Sequence, residues 1–70
     1  MQVFLARAHT VGEGSSVFGI FATLEAAIAC LKEKVPTYSW LKEGELKGKV
    51  VYNLTDGHDS LQVLVYTVEG

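Results

Sequence analysis

Asp56, His58 and Asp59 stand within four residues of one another, and two carboxylates with an imidazole are oxygen and nitrogen donors of the kind that hold a divalent cation. The Asp56-Gly57 step is also a hairpin-turn signature, so the same residues read ordinarily as a solvated loop tip. We take that reading and expect no metal. His9 is the only other imidazole. On a simple path of two hairpins it falls near the tip of the first, expected at the opposite end of the sheet from His58, which leaves no histidine pair within the chain. Arg7 and His9 share one face of a strand at period two. With Glu13 they would give the cleft of a dimer a cation, a base and an acid.

Cys30 has Lys34 one helical turn on, a neighbour that would favour a thiolate, but no nearby residue supplies the histidine of a catalytic cysteine. It reads as a half-buried thiol beside an apolar stripe. Gly12-Glu13-Gly14-Ser15-Ser16 is rich in glycine and hydroxyls but leads into a strand, so it lacks the helix N-terminus that makes a phosphate cradle. Tyr38, Trp40, Lys42, Lys47 and Lys49 mix aromatics with cations, as single-strand binders do, yet Glu43 and Glu45 interrupt the charge. Nucleic acid is therefore not the expected partner. Trp and Tyr are favoured anchors at protein interfaces, and this stretch is the first choice for a protein contact.

The chain that must position these groups has 70 residues, a net charge of −2, 49% hydrophobic residues and a single cysteine. At that length only about 60% of the unfolded surface can be buried, giving one small core in a single domain over residues 1–70. Small domains compensate with disulfides, metals or oligomerisation. One cysteine rules out an intrachain disulfide and any cysteine-rich zinc site, which leaves oligomerisation. A mean hydropathy of +0.23 agrees, because part of so apolar a surface should be hidden by a partner. Mild acidity offers no field for nucleic acid or anionic lipid. No run approaches the roughly 20 apolar residues of a membrane span, and the start does not read as a signal peptide. The expected setting is the cytoplasm, where a lone thiol stays reduced.

Alternation and turn residues predict strands over residues 2–10, 17–22, 47–55 and 60–68, with Asp56-Gly57-His58-Asp59 joining the last two. Leu24, Ala27, Ile28, Leu31 and Val35 recur at helical spacing, so residues 24–35 are a helix capped by Thr23 and ended by Pro36. Residues 37–46 have no dominant period and form a short helical turn or an ordered loop. The predicted fold is α+β in the order β-β-α-β-β, a four-stranded, mainly antiparallel sheet with one helix packed on one face.

Four strands make a sheet roughly 19 Å wide, whereas one helix is about 10 Å across and covers half of one face. Trp40 and Leu41 are expected to fold back and finish that face. In the last run Leu61, Val63 and Val65 oppose Leu64, Tyr66 and Val68, and in the third Val50, Tyr52 and Leu54 oppose Val51. Neither face is plainly for solvent. The uncovered one is expected to meet a second copy in a twofold homodimer. Tyr38, Trp40, Leu41, Tyr52 and Tyr66 form the expected protein interface.

Phe21-Ala22-Thr23-Leu24-Glu25-Ala26-Ala27, an apolar strand passing through a Thr cap into a helix, follows a Gly/Glu hairpin. This arrangement, over about half the chain, resembles small β-β-α proteins of bacteria and phages whose roles are uncharacterised. The resemblance carries no catalytic residues and implies an accessory or regulatory protein, including a phage-encoded inhibitor of a host defence or host enzyme. The expected function is a non-catalytic, homodimeric protein-interaction module without a cofactor. The alternative is a small-ligand-binding protein or minor enzyme using Arg7 and His9.

Overall fold

Residues 1–69 are described by a computed structural model. Strands β1 (Gln2–Thr10) and β2 (Gly14–Phe21) form the first hairpin, closed by donation from Glu13 N–H to Thr10 O at 3.0 Å. Gly12 and Gly14 take φ values of +86° and +91° there, which an L side chain rarely adopts. Helix α1 (Leu24–Lys34) begins as expected at Thr23, whose Oγ1 accepts from Ala26 N–H at 3.2 Å. Val35 N–H donates to Leu31 O, and Pro36, with no N–H to continue the helix, opens a 3-10 turn over Pro36–Trp40. Strands β3 (Lys42–Glu43), β4 (Val50–Thr55) and β5 (Asp59–Thr67) follow.

The sheet runs β2-β1-β5-β4-β3 with every neighbouring pair antiparallel, and α1 packs against β1, β2 and β5. The α+β class and the single helix on an antiparallel sheet are as read from the sequence. The strand count is five rather than four. The addition comes from the aperiodic 37–46 segment, where Lys42 pairs with Thr55 and Glu43 with Leu54. Residues 47–49 are a turn, with Gly48 at φ +57° and Val50 N–H donating to Lys47 O, so the third expected strand starts only at Val50. The second starts earlier, at Gly14.

Two bulges alter the simple alternation. Ala6 pairs with Gly19 and Arg7 with Val17, so Phe18 is an extra residue in β2. Tyr52 pairs with Val63 and Val50 with Leu64, which leaves Val51 extra in β4. Val50 therefore lies on the face of Leu64, while Val51, Tyr52 and Leu54 pack against the core, a correction to the expected grouping of Val50 with Tyr52 and Leu54.

Ala6, Ala27, Leu31, Leu61 and Val63 are the fully covered centre of the helix side, flanked by Phe4, Phe18, Phe21 and Ile28. Tyr38 and Leu41 also pack there, extending the cover beyond α1. Trp40 does not join them: it is 79% exposed, against the expectation that it would finish this face. It sits at the end of the 3-10 turn, which Tyr38 and the following Leu41 anchor from either side.

Pairing of β1 with β5 sets the position of the hairpin tips. Thr10 pairs with Asp59, and Val11 N–H donates to His58 O at 3.0 Å. Both tips therefore lie side by side at one end of the sheet. The expectation that His9 and His58 sit at opposite ends is overturned, because β1 and β5 are antiparallel neighbours and the end of one meets the start of the other. No helix among the described residues is long and apolar enough to cross a membrane.

Candidate functional site

Strand register assigns Val3, Leu5, Arg7 and His9 to the face away from α1, with Ser60, Gln62, Leu64 and Tyr66 beside them on β5. This face is divided along its length. Toward the tips, Arg7 Nε donates to Gln62 Oε1 at 2.9 Å, His9 Nδ1 lies 2.8 Å from Ser15 Oγ, and Ser60 Oγ donates to Thr55 Oγ1 at 3.1 Å. Toward Met1 it turns apolar. Leu64 is 8% exposed between its partners Leu5 and Val50, yet Ile20, opposite Leu5, is 64% exposed and Val17 is 60% exposed. The bulge at Phe18 places Val17 and Ile20, three apart in sequence, on this one face. Lys49 Nζ stands 4.5 Å from the centroid of the Tyr66 ring and borders the patch with a cation–π contact.

On the helix side, a groove of about 470 Å³ opens between the 3-10 turn and the hairpin tips. Its floor includes Ala8 and Leu61, its flank Val35 and Leu41, and Trp40, Asp56 and Asp59 border it. A network orders the tip. Asp56 Oδ1 accepts from His58 N–H at 2.8 Å and Asp59 N–H at 2.7 Å, and Asp59 Oδ1 accepts from Thr10 Oγ1 at 2.9 Å. Donation from the Asp59 and His58 backbones holds the Asp56 carboxyl below its ordinary value of 3.8. Among the described residues no group of three or more His, Cys, Asp or Glu side chains is placed together to hold a metal ion.

The five residues expected at the interface are distributed rather than gathered. Tyr38, Leu41 and Tyr52 are partly buried on the helix side, Trp40 is exposed beside the groove, and Tyr66 lies on the opposite face. Burial, reinforced by the charge of Glu43 and by Tyr38, raises the Tyr52 phenol above 10.0. Lys32 Nζ lies 5.3 Å from the Tyr38 ring centroid. Arg7 and His9 do share a face, each already in contact with a polar neighbour from another strand, and Cys30 is a partly buried free thiol. Ala8, Thr10 and Leu61 were not singled out, because only the β1–β5 pairing, between residues some fifty positions apart, brings them to one groove. Neither the protein-family models, the curated proteins nor the solved structures compared with this chain gave a match.

Proposed function

We propose that this chain is a non-catalytic interaction module that forms a homodimer through the apolar half of the sheet face away from α1. In that state it acts in the cytoplasm as an accessory or regulatory protein by occluding or scaffolding a second protein. The observation that carries the reading is the apolar half of this face, where register groups Val3, Leu5, Leu64, Val50 and Tyr66 with the 64% exposed Ile20, and the 60% exposed Val17 follows opposite Arg7 at the border with the polar, hydrogen-bonded half. Exposed apolar patches rimmed by polar groups are the usual mark of association. A second copy is the fitting occupant because a sheet face can pack on itself about a twofold axis, at about 10 Å between sheets. Inhibition of a host enzyme by a phage protein is one form such a role takes, as the β-β-α resemblance implies.

Sedimentation or light scattering at micromolar concentration tests this, with an expected particle of twice the 7.6 kDa chain mass. A folded, strictly monomeric species across that range would remove the dimer. Under the alternative, a small-ligand or minor enzymatic role at a dimer cleft, Arg7→Ala or His9→Ala abolishes activity. Under the module reading, both variants leave partner binding intact.

A further inference from the structure

The groove beside the hairpin tips has a different chemistry from the apolar face, and its character does not depend on whether the chain dimerises. Its volume of about 470 Å³ falls within the roughly 300–1,000 Å³ of pockets that enclose small molecules. Ala8 and Leu61 offer an aliphatic floor, and Trp40, 79% exposed while lining the cavity, presents its indole to groove and solvent together. Asp56 and Asp59 supply the charge; His9 also lines the space and His58 stands beside them in the turn, but no lysine or arginine lines it. The hydrogen bonds that order the two carboxylates all fall on Oδ1, so none of them engages either Oδ2.

An aromatic face, an apolar floor and two carboxylates with no lysine or arginine in the lining complement one ligand class. We propose that this groove binds a small organic cation, a primary or quaternary ammonium on an apolar body, with the ammonium at Asp56 and Asp59 and the body against Trp40, Ala8 and Leu61. Trp is the strongest side-chain partner for such a cation; the carboxylates accept charge-assisted hydrogen bonds from a primary ammonium and meet a quaternary one through charge alone. An anion of the same shape meets two like charges. A neutral isostere leaves both carboxylates without their counter-charge, so the discrimination is built from repulsion as well as attraction.

Trp40 is the only tryptophan, so its emission reports on the groove directly. Titration with 2-phenylethylammonium and with benzyltrimethylammonium should give saturable changes in emission, accompanied by shifts of the Ala8 and Leu61 methyl resonances. The alcohol 2-phenylethanol and the acid 3-phenylpropionate should bind at least about ten-fold more weakly. Asp56→Asn combined with Asp59→Asn keeps a side-chain acceptor at each position and should reduce cation affinity by a similar factor, with the circular dichroism spectrum unchanged. The proposal is overturned if neither cation gives a saturable signal, if alcohol or acid binds as well, or if the double variant binds undiminished. A lysine- or arginine-bearing peptide that moves the Trp40 signal where both free ammonium ions fail also overturns it, and assigns the groove to a protein segment.

Discussion

Two backbone N–H groups at the tip of the second hairpin converge on one oxygen, Asp56 Oδ1. They favour the ionised carboxylate, so the folded chain holds that proton less tightly than the unfolded chain. The resulting stability is present above the ordinary value of 3.8 and fades as pH falls through the lower, folded value. Thermal unfolding of the wild type and Asp56→Ala across acidic pH should therefore give a melting-temperature gap that is widest near neutrality and narrows in acid. Gly44 makes a second test. Its N–H donates to Asn53 O at 2.9 Å, and a methyl group there would approach Asn53 Nδ2 to 2.5 Å and Thr55 Cγ2 to 2.9 Å. Gly44→Ala should destabilise by up to about 1 kcal/mol in urea denaturation, because the side chains it meets can yield only at the expense of the Asn53 Nδ2 bond to Glu45 O. The Thr23 cap and the Asp56-Gly57 turn were legible because their chemistry is local. The contact between Arg7 and Gln62, 55 residues apart, was not, since nothing in either neighbourhood specifies the other.

Elements were legible in proportion to the regularity of their period. The apolar stripe of α1 predicted its start and, within one residue, its end, and Leu31 from that stripe is 0% exposed. Leu31→Ala should cost about 2–5 kcal/mol, read by chemical denaturation, because the sheet beneath cannot fully collapse into the space. Four of the five strands were found, but the faces of β2 and β4 were not, because a bulge is a relation between two strands and leaves no mark on a period-two reading of either one. Phe18 and Val51 are the cases: one extra residue in each moves the following side chains to the other face. Strand β3 escaped notice for a different reason, since two charged residues carry no alternation at all. Its shortness and its Lys42-Glu43 pair are features that discourage further pairing at that edge of the sheet.

Across the whole molecule, one helix against a wider sheet was legible from composition and alternation, but the face away from it is apolar over only part of its length. The division of the uncovered face was not legible. Arg7, His9 and Gln62 stand toward the tips and Leu5, Ile20 and Leu64 toward Met1, a pattern that exists only once β1 and β5 lie side by side. Ile20→Lys should change the stability of the single chain by no more than about 0.5 kcal/mol, as Ile20 is 64% exposed. It should nevertheless raise the dimer dissociation constant at least about ten-fold, because an unpaired charge buried at an interface costs more than the roughly 1.4 kcal/mol of one decade. Sedimentation equilibrium over a concentration series measures both constants of that comparison. The melting temperature of the wild type should also rise with protein concentration, and that of Ile20→Lys should not.

Val68 N–H donates to Met1 O at 2.7 Å, so the chain comes back almost to its own beginning. This places Met1 and Val68 together at the pole of the sheet remote from the groove. A short glycine-serine tether across that gap, with a new opening at the Gly48 bend, would sever no ladder and should give a circular permutant with a near-native spectrum. Fluorophores or fusion modules joined next to Met1 or Val68 would hang from that same pole and leave the Trp40 end unobstructed.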